Sequence, residues 1–342
     1  MRIVQLGHGA VGKENIRQLV NRGHQVVGIV DKREVLDQID LTSIGFRGKA
    51  PMLDVDLKQC IANSEADLVL QSTAFDPDDM LDVVTHAAAP KCDLITINPM
   101  VDIRQMFPEL CRSLDQIAKE GGIRVLGVGA IPGFFSDVLP LTFSGACADV
   151  SVVKFRRCAD FSKWGPAVLK KFGFGLSPEI FSERIKAGEI ALFGSLWQSA
   201  KFIAHELRWP IIETEEFKRP LISDRERNAE HMRVAAGSVG GFSHRVVIYS
   251  TSLRSIDIEV IGFVDPAGDQ EQPGMSVEII GDPQMRIDIG GDVLQSSGAL
   301  VSSSARMVNS IGPLLTAPPG LRTTADLPLI ACRRPSGVQA FT

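Results

Sequence analysis

Residues 3–15 read IVQLGHGAVGKEN. An apolar run stops at Gly7, Gly9 and Gly12, spaced G-x-G-x-x-G, and a helical pattern begins at once. Glycine-rich turns are common, so the weight of this spacing lies in its context. The loop follows a strand, opens a helix and is trailed by GIVD, whose Asp31 comes 19 residues after Gly12. That layout predicts a dinucleotide cradle. Gly7 permits the tight turn, Gly9 lets backbone approach a pyrophosphate, and Gly12 lets the helix pack close to the strand. An acid at the end of the second strand then accepts the adenosine ribose hydroxyls. Ala10 and Val11 open the helix, whose free N–H groups and partial positive charge favour phosphate.

Asp31 alone favours NAD, because a carboxylate repels a 2′-phosphate. Lys32 and Arg33 follow it, and two readings stay open for them: they hold that phosphate, or they cap the next helix in solvent. The cofactor therefore reads as NAD(P)H, with NAD and NADP not separated. His8 either lies near the pyrophosphate or faces solvent. The carboxyl ends of parallel strands face the ligand crevice, which places Ser72 and Thr73 after one strand, and Asn98 and Pro99 after the next, toward the nicotinamide half. Ordinary loop capping is the alternative for each.

The first 130 residues alternate short apolar runs with helical patterns, the signature of βαβ units and a mainly parallel sheet. Strands are expected at Arg2–Leu6, Gln25–Val30, Leu68–Gln71, Leu94–Ile97 and Arg124–Val128. Helices are expected at Val11–Arg22, Asp78–Ala89 and Met106–Glu120. After Asp149 the texture changes to a strand-like SVVKFRRCA, two helical segments and long β-rich runs from Met232 to Ile289. Ser177 and Pro178 open one of those helices as N-cap and first residue. In the other, Leu196, Ala200, Ile203 and Leu207 share a face that reads as core. DPAGDQEQPG (265–274) reads as a surface hairpin loop, Ala299–Ile311 as a helix, and TAPPGLRTTADLP as a packed extended segment. At 342 residues the chain exceeds the roughly 250–300 residues at which one core stops growing. The expected fold is α/β: a Rossmann doubly wound parallel sheet over 1–137, with 298–342 returning to it, and a second α+β domain with an open mixed or antiparallel sheet over 138–297.

Composition excludes several classes. The net charge of −5 argues against a nucleic-acid partner. No apolar run approaches the ~18 residues that cross a bilayer, and the opening MRIVQLG, with neither an h-region nor a cleavage site, reads as cytoplasmic. The six cysteines lie far apart with no C-x-x-C, which suggests scattered thiols and no metal site. AAGSVGG (235–241) lacks the first glycine of a G-x-S-x-G nucleophile turn. Of the basic residues between Lys154 and Lys171, most read as a solvated face and one arginine, Arg157, as a holder of a substrate carboxylate.

Three later stretches, VLGVGAIPGFFSDVLPLTFSG (125–145), IIGDPQMRIDIGGD (279–292) and MVNSIGPLLTAPPGLRTTADLP (307–328), together with the glycine loop, resemble the dihydrodipicolinate-reductase-like family. Within it the likeness is strongest to the 2,4-diaminopentanoate dehydrogenases and native amine dehydrogenases, and it runs over nearly the whole chain. The resemblance implies a homodimer and NAD(P)H-dependent reduction of an imine to an amine, or the reverse, in a closed site walled partly by TAPPGLRTTADLP. The chain departs from its relatives twice. They carry a pair of acids in a pattern like I-S-T-C-E-E, where this chain reads ITINPMV with Pro99 and Met100; their V-N-P-G-F is AIPGF here, with Ile131 for asparagine. Met100 and Ile131 are thus expected beside a small-molecule substrate. Without the acid pair, the reaction is hydride transfer to a preformed imine or iminium, reduction of a carbonyl, or use of a relocated acid. Asp102, Asp137 and His231 are the candidate proton donors, read otherwise as a solvent-loop residue, a helix cap and a strand-edge polar residue. A non-catalytic NAD(P)-binding protein is the alternative from another class.

Overall fold

In the computed structural model, which describes residues 1–42, 46, 49–98, 100–267, 269 and 271–333, the opening apolar run is strand β1 (Arg2–Leu6). It leads through α1 (Ala10–Asn21), β2 (Gln25–Val30), α2 (Arg33–Leu36), β3 (Met52–Asp54), α3 (Leu57–Ser64), β4 (Leu68–Gln71), α4 (Pro77–Ala88), β5 (Asp93–Thr96) and α5 (Pro108–Gly121) to β6 (Arg124–Gly127). A second set follows: α6 (Val138–Ser144), β7 (Asp149–Asp160), α7 (Pro166–Lys171), α8 (Pro178–Lys186), α9 (Leu196–Glu206), β8 (Glu213–Ile222), β9 (Arg227–Ala229), β10 (Met232–Val234), β11 (Val239–Tyr249), β12 (Ser255–Phe263), β13 (Gly274–Asp282) and β14 (Met285–Ile289). The chain closes with α10 (Ser296–Asn309), α11 (Ile311–Leu315) and β15 (Gly320–Arg322). Two compact units result, Met1–Phe134 with Leu300–Thr342, and Phe135–Ala299.

The first unit is a seven-stranded, wholly parallel sheet in the order β15-β6-β5-β4-β1-β2-β3. Because successive strand side chains point to opposite faces, each central strand feeds two cores. Val4, Val69, Leu94 and Val125 pack with Met80, Val84, Leu110 and Leu114 of α4 and α5. Ile3, Leu70, Ile95 and Leu126 pack with Ile16 and Leu19 of α1 and with Met307 and Leu314 of α10 and α11. A sheet buried on both faces explains the near-continuous apolar runs of the sequence. The expected boundaries shift by a residue or two: the strand at 94–97 is Asp93–Thr96, and the helix expected from Met106 begins at Pro108, whose missing N–H costs nothing in a first turn. Sequence periodicity alone does not reveal β3, a three-residue strand. The extended TAPPGLRTTADLP segment supplies β15, which pairs parallel with β6 as the seventh strand.

The second unit is built on a six-stranded mixed sheet, β14-β13-β7-β12-β11-β8, in which β7 and β12 run parallel and the other pairs antiparallel. One face is apolar: Phe155, Ile256, Ile258, Val246 and Ile248 are buried, with α9 against β11 and β12. The other face is charged, with Lys154 on Glu278 (3.3 Å), Arg156 on Glu259 (3.2 Å) and Glu271 (2.7 Å), and Arg245 on Asp257 (2.6 Å). The segment 265–274 is not a hairpin loop. It joins β12 to β13, which β7 separates, so it crosses the end of the sheet, where Arg225 and Arg227 hold Asp265 and Asp269. The β-rich region begins at Glu213, before the expected Met232. Ser177 caps α8 as expected, its hydroxyl accepting from Ile180 N at 3.3 Å. Among the described residues no helix is long and apolar enough to cross a membrane, and no group of His, Cys, Asp and Glu is placed to hold a metal.

Buried in the second sheet, His244 accepts Phe193 N–H at Nδ1 (3.1 Å), and its Nε2 lies 2.9 Å from Glu216 Oε1. Burial lowers the imidazole below its ordinary value, against the opposing pull of Glu216. Burial would raise the Glu216 carboxyl, but bonds from His244 and Lys218 outweigh it and hold it low. An unfolded histidine takes up a proton near 6.5, before the folded one does, so stability falls as pH drops below about 6.5. A depressed carboxyl acts in the same direction at lower pH. The unfolding temperature is therefore expected to fall from pH 7 to pH 5, and His244→Gln to flatten that slope; an unchanged slope in the variant refutes the assignment. In the first unit, Leu114→Ala empties a fully buried site and is expected to cost about 2–5 kcal/mol in urea unfolding.

Candidate functional site

The glycine loop is built as a cradle. Gly7 turns the chain at φ +89°, with its N–H on Val30 O at 2.8 Å. A side chain at Gly12 would place Cβ 2.0 Å from Gly7 O, so only glycine lets α1 abut the turn. At Gly9 the opposite holds: a Cβ would meet nothing within 4 Å. Gly9 and Ala10 are exposed, Val11 is half-buried, and no side chain caps the helix at Gly9. The first helical bond runs from Lys13 N to Gly9 O, leaving the preceding N–H groups for an anion. His8 adds an orphan: it is 4% exposed, and its Nδ1 has no hydrogen-bond partner. Burial and the nearby Lys13 lower its pKa, which Asp31 opposes. The solvent-facing reading of His8 is thus corrected. An open backbone edge, orphan N–H groups and an unpartnered buried ring nitrogen together fit a pyrophosphate cofactor.

Asp31 serves the loop as well as any ribose. Its Oδ2 accepts His8 N–H at 2.6 Å and its Oδ1 accepts Lys32 N–H at 2.7 Å. Each carboxylate oxygen keeps a further lone pair for a sugar hydroxyl. Lys32 and Arg33 are exposed, with no hydrogen bond or ion pair from either side chain among the described residues.

Beyond the loop, several expected contacts point elsewhere. The Ser72 hydroxyl turns under the loop, 3.2 Å from Gly7 O, and accepts from Gln5 Nε2 at 2.8 Å. Thr73 Oγ1 accepts from Gln71 Nε2 at 3.0 Å. Asn98 is buried, its N–H on Thr96 Oγ1 and its amide against Met80 Sδ at 3.3 Å. Loop capping describes these three better than presentation to a nicotinamide. Pro99 lies outside the described residues. Met100 is a core residue, packed with Ile103, Leu110 and Leu114, and its backbone abuts Gly127 too closely for any side chain there. The expectation that it lines a substrate is corrected. Ile131 is half-buried in the turn that follows β6.

Each candidate acid is accounted for by its neighbours. Asp102 is not on a solvent loop: it is 3% exposed and gripped bidentately by Arg104, Nε to Oδ1 and Nη2 to Oδ2, both 2.8 Å. Asp137 is the buried N-cap of α6, accepting Val138 N–H at 2.7 Å and the Ser199 hydroxyl at 2.8 Å. His231 sits in the two-residue turn between β9 and β10, its side chain 41% exposed and 3.7 Å from Glu230. Asp102 lies in an ion pair with a half-exposed arginine, Asp137 at a helix cap and His231 in a turn, and no proton donor is assigned to them.

Arg157 behaves differently from its neighbours on β7. It points to the sheet face opposite Arg156, in register with Val260 and Met275, both buried apolar residues. Its Nε is buried with no partner, and among the described residues no carboxylate pairs with it. Burial pushes its pKa down. The residue as a whole is half-buried; burying Nε without a partner costs part of the guanidinium's hydration, and a carboxylate ligand would offset that cost through two parallel hydrogen bonds. Sequence reading does not find Gln5, Asn15 or Arg104; the signal available for Gln5 is a carboxamide in the middle of the apolar run IVQL.

Comparison with known proteins adds to this geometry. The family described as the 2,4-diaminopentanoate dehydrogenase C-terminal domain matches residues 134–338. A 2,4-diaminopentanoate dehydrogenase of Acetoanaerobium sticklandii is 27% identical over 337 residues, 96% of this chain and 94% of that protein. An amine dehydrogenase of Streptomyces virginiae is 24% identical over 270 residues, 74% of each chain. Among solved structures, an amine dehydrogenase from Mycobacterium smegmatis superposes with a TM-score of 0.81 at 21% identity, covering 98% of both chains.

Proposed function

The chain belongs to the family of the 2,4-diaminopentanoate dehydrogenase C-terminal domain, and from that premise we propose that this oxidoreductase moves hydride between NAD(P)H and the C=N carbon of a small substrate that carries a carboxylate. The names of its relatives, 2,4-diaminopentanoate dehydrogenase and amine dehydrogenase, support a reaction at a carbon–nitrogen bond. Two observations carry the reading, each within its own unit: the open anion cradle at Gly7–Gly12, and an Arg157 whose Nε is buried without a partner and which has no carboxylate beside it among the described residues. The cradle's N–H groups would hold the pyrophosphate, Asp31 the adenosine ribose, and Lys32 and Arg33 a 2′-phosphate. When bound, the cofactor supplies the hydride.

The chain's own residues set the rest. Arg157 orients the substrate by its carboxylate, so that binding energy from a remote group is used for positioning. The acids near the expected site are engaged: Asp102 by Arg104, and Asp137 by a helix cap and a serine hydroxyl. Transfer of hydride to an iminium gives the neutral amine with no further proton, whereas a carbonyl or a neutral imine requires one. The lack of an assigned donor therefore favours a preformed iminium over a ketone as the oxidised substrate.

The chain given NADPH is expected to oxidise it with carboxylated cyclic iminium ions and not with the matching ketones; the reverse preference makes it a carbonyl reductase, and binding without turnover makes it a non-catalytic protein. Arg157→Leu is expected to raise the KM for a carboxylated substrate by about 10- to 100-fold, the loss of one charge-assisted contact, while the Kd for NADPH stays unchanged. Replacing Lys32 and Arg33 together by alanine is expected to weaken NADPH by about tenfold, as loss of surface charge contacts would, and to leave NADH binding as it was. Equal losses for both cofactors contradict the 2′-phosphate role.

A further inference from the structure

Gln5 lies in the middle of β1, fully buried, between Val4 and the start of the glycine loop. A carboxamide in a strand whose neighbours Ile3 and Val4 are wholly buried hydrocarbon must make its hydrogen bonds or cost stability. Its Nε2 lies 2.9 Å from Gly7 O, 3.1 Å from Leu6 O and 2.8 Å from Ser72 Oγ. Its Oε1 accepts from Asn15 Nδ2 of α1 at 3.2 Å. Ser72 Oγ is itself 3.2 Å from Gly7 O.

These contacts converge on one peptide unit. Gly7 O is one end of the Gly7–His8 peptide and His8 N–H is the other; the first is held by Gln5 and Ser72, and the second by Asp31 Oδ2 at 2.6 Å. A planar peptide gripped at both ends cannot rotate. We propose that Gln5 is a positioning residue for the cofactor loop: it fixes the Gly7–His8 peptide with its carbonyl turned inward, so that the carbonyl does not face phosphate and the following N–H groups do. This rests on reading the loop as a nicotinamide-dinucleotide site. Gln5 itself, buried beneath the turn, touches no ligand. Its effect is preorganisation, which lowers the cost of ordering the loop when an anion binds.

The test uses the full chain, with NADPH as the probe in a fluorescence titration and the unfolding temperature recorded without it. Gln5→Met removes the donor and keeps the volume. The NADPH Kd is expected to rise about tenfold, the loss of one net buried hydrogen bond. Gln5→Glu adds a pH signature. As a neutral acid it still donates one hydrogen to Gly7 O, and burial raises its pKa; once ionised it repels both carbonyls. Its Kd relative to wild type is therefore expected to return toward unity as pH falls from 8 to 5. A residue that only stabilised the fold would lower the unfolding temperature and leave both Kd measurements alone. Should Gln5→Met fail to fold, Ser72→Ala removes the second donor to Gly7 O and is expected to raise the Kd about threefold. Folded variants with wild-type Kd at every pH overturn the proposal alone. A wild-type chain that binds neither NADPH nor NADH overturns the cofactor reading and the proposal together.

Discussion

The approach of Gly12 to the carbonyl of Gly7 governs the arrangement of the first unit. A methyl at position 12 would sit 2.0 Å from that oxygen, so α1 could not begin where it does and its open N–H groups would not face the rim of the sheet. The apolar side chains of α1, Ile16 and Leu19, reach the second core because of that entry angle. Packing and anion recognition are in this way set by one missing side chain.

Two neighbouring arginines show how strand alternation sorts basic residues in the second unit. Arg156 faces the charged side of the sheet and is matched by Glu259 and Glu271. Arg157, one residue on and therefore on the other face, meets Val260 and Met275 and has no carboxylate partner among the described residues. The first stabilises a solvated surface by a small amount. The second has its Nε buried without a partner. Strand alternation thus places basic residues that are uniform in the sequence in two kinds of environment.

Much of the fold is legible in the sequence because it depends on period and punctuation. Parallel strands buried on both faces read as apolar runs, and Gly23 and Gly122 stand just past helix ends at positive φ, a conformation that favours glycine. β3 escapes because three residues carry no period, and the 265–274 crossing reads as a hairpin because strand order is a long-range property. The site divides in the same way. Gly7, Gly9, Gly12 and Asp31 follow from local spacing. The inward turn of Ser72 and Asn98, the core placement of Met100 and the pairing of Asp102 with Arg104 depend on which neighbours the fold supplies, and no local pattern states them.

The central claim is that the Gly7–Gly12 loop binds a nicotinamide dinucleotide through its backbone. Amide hydrogen exchange of the full chain, with and without saturating NADPH, tests it most directly. The account predicts that the amides from Gly9 to Gly12 become protected when NADPH is added. Those amides exchanging at the same rate in the presence of bound NADPH, or in the absence of any binding, would contradict it.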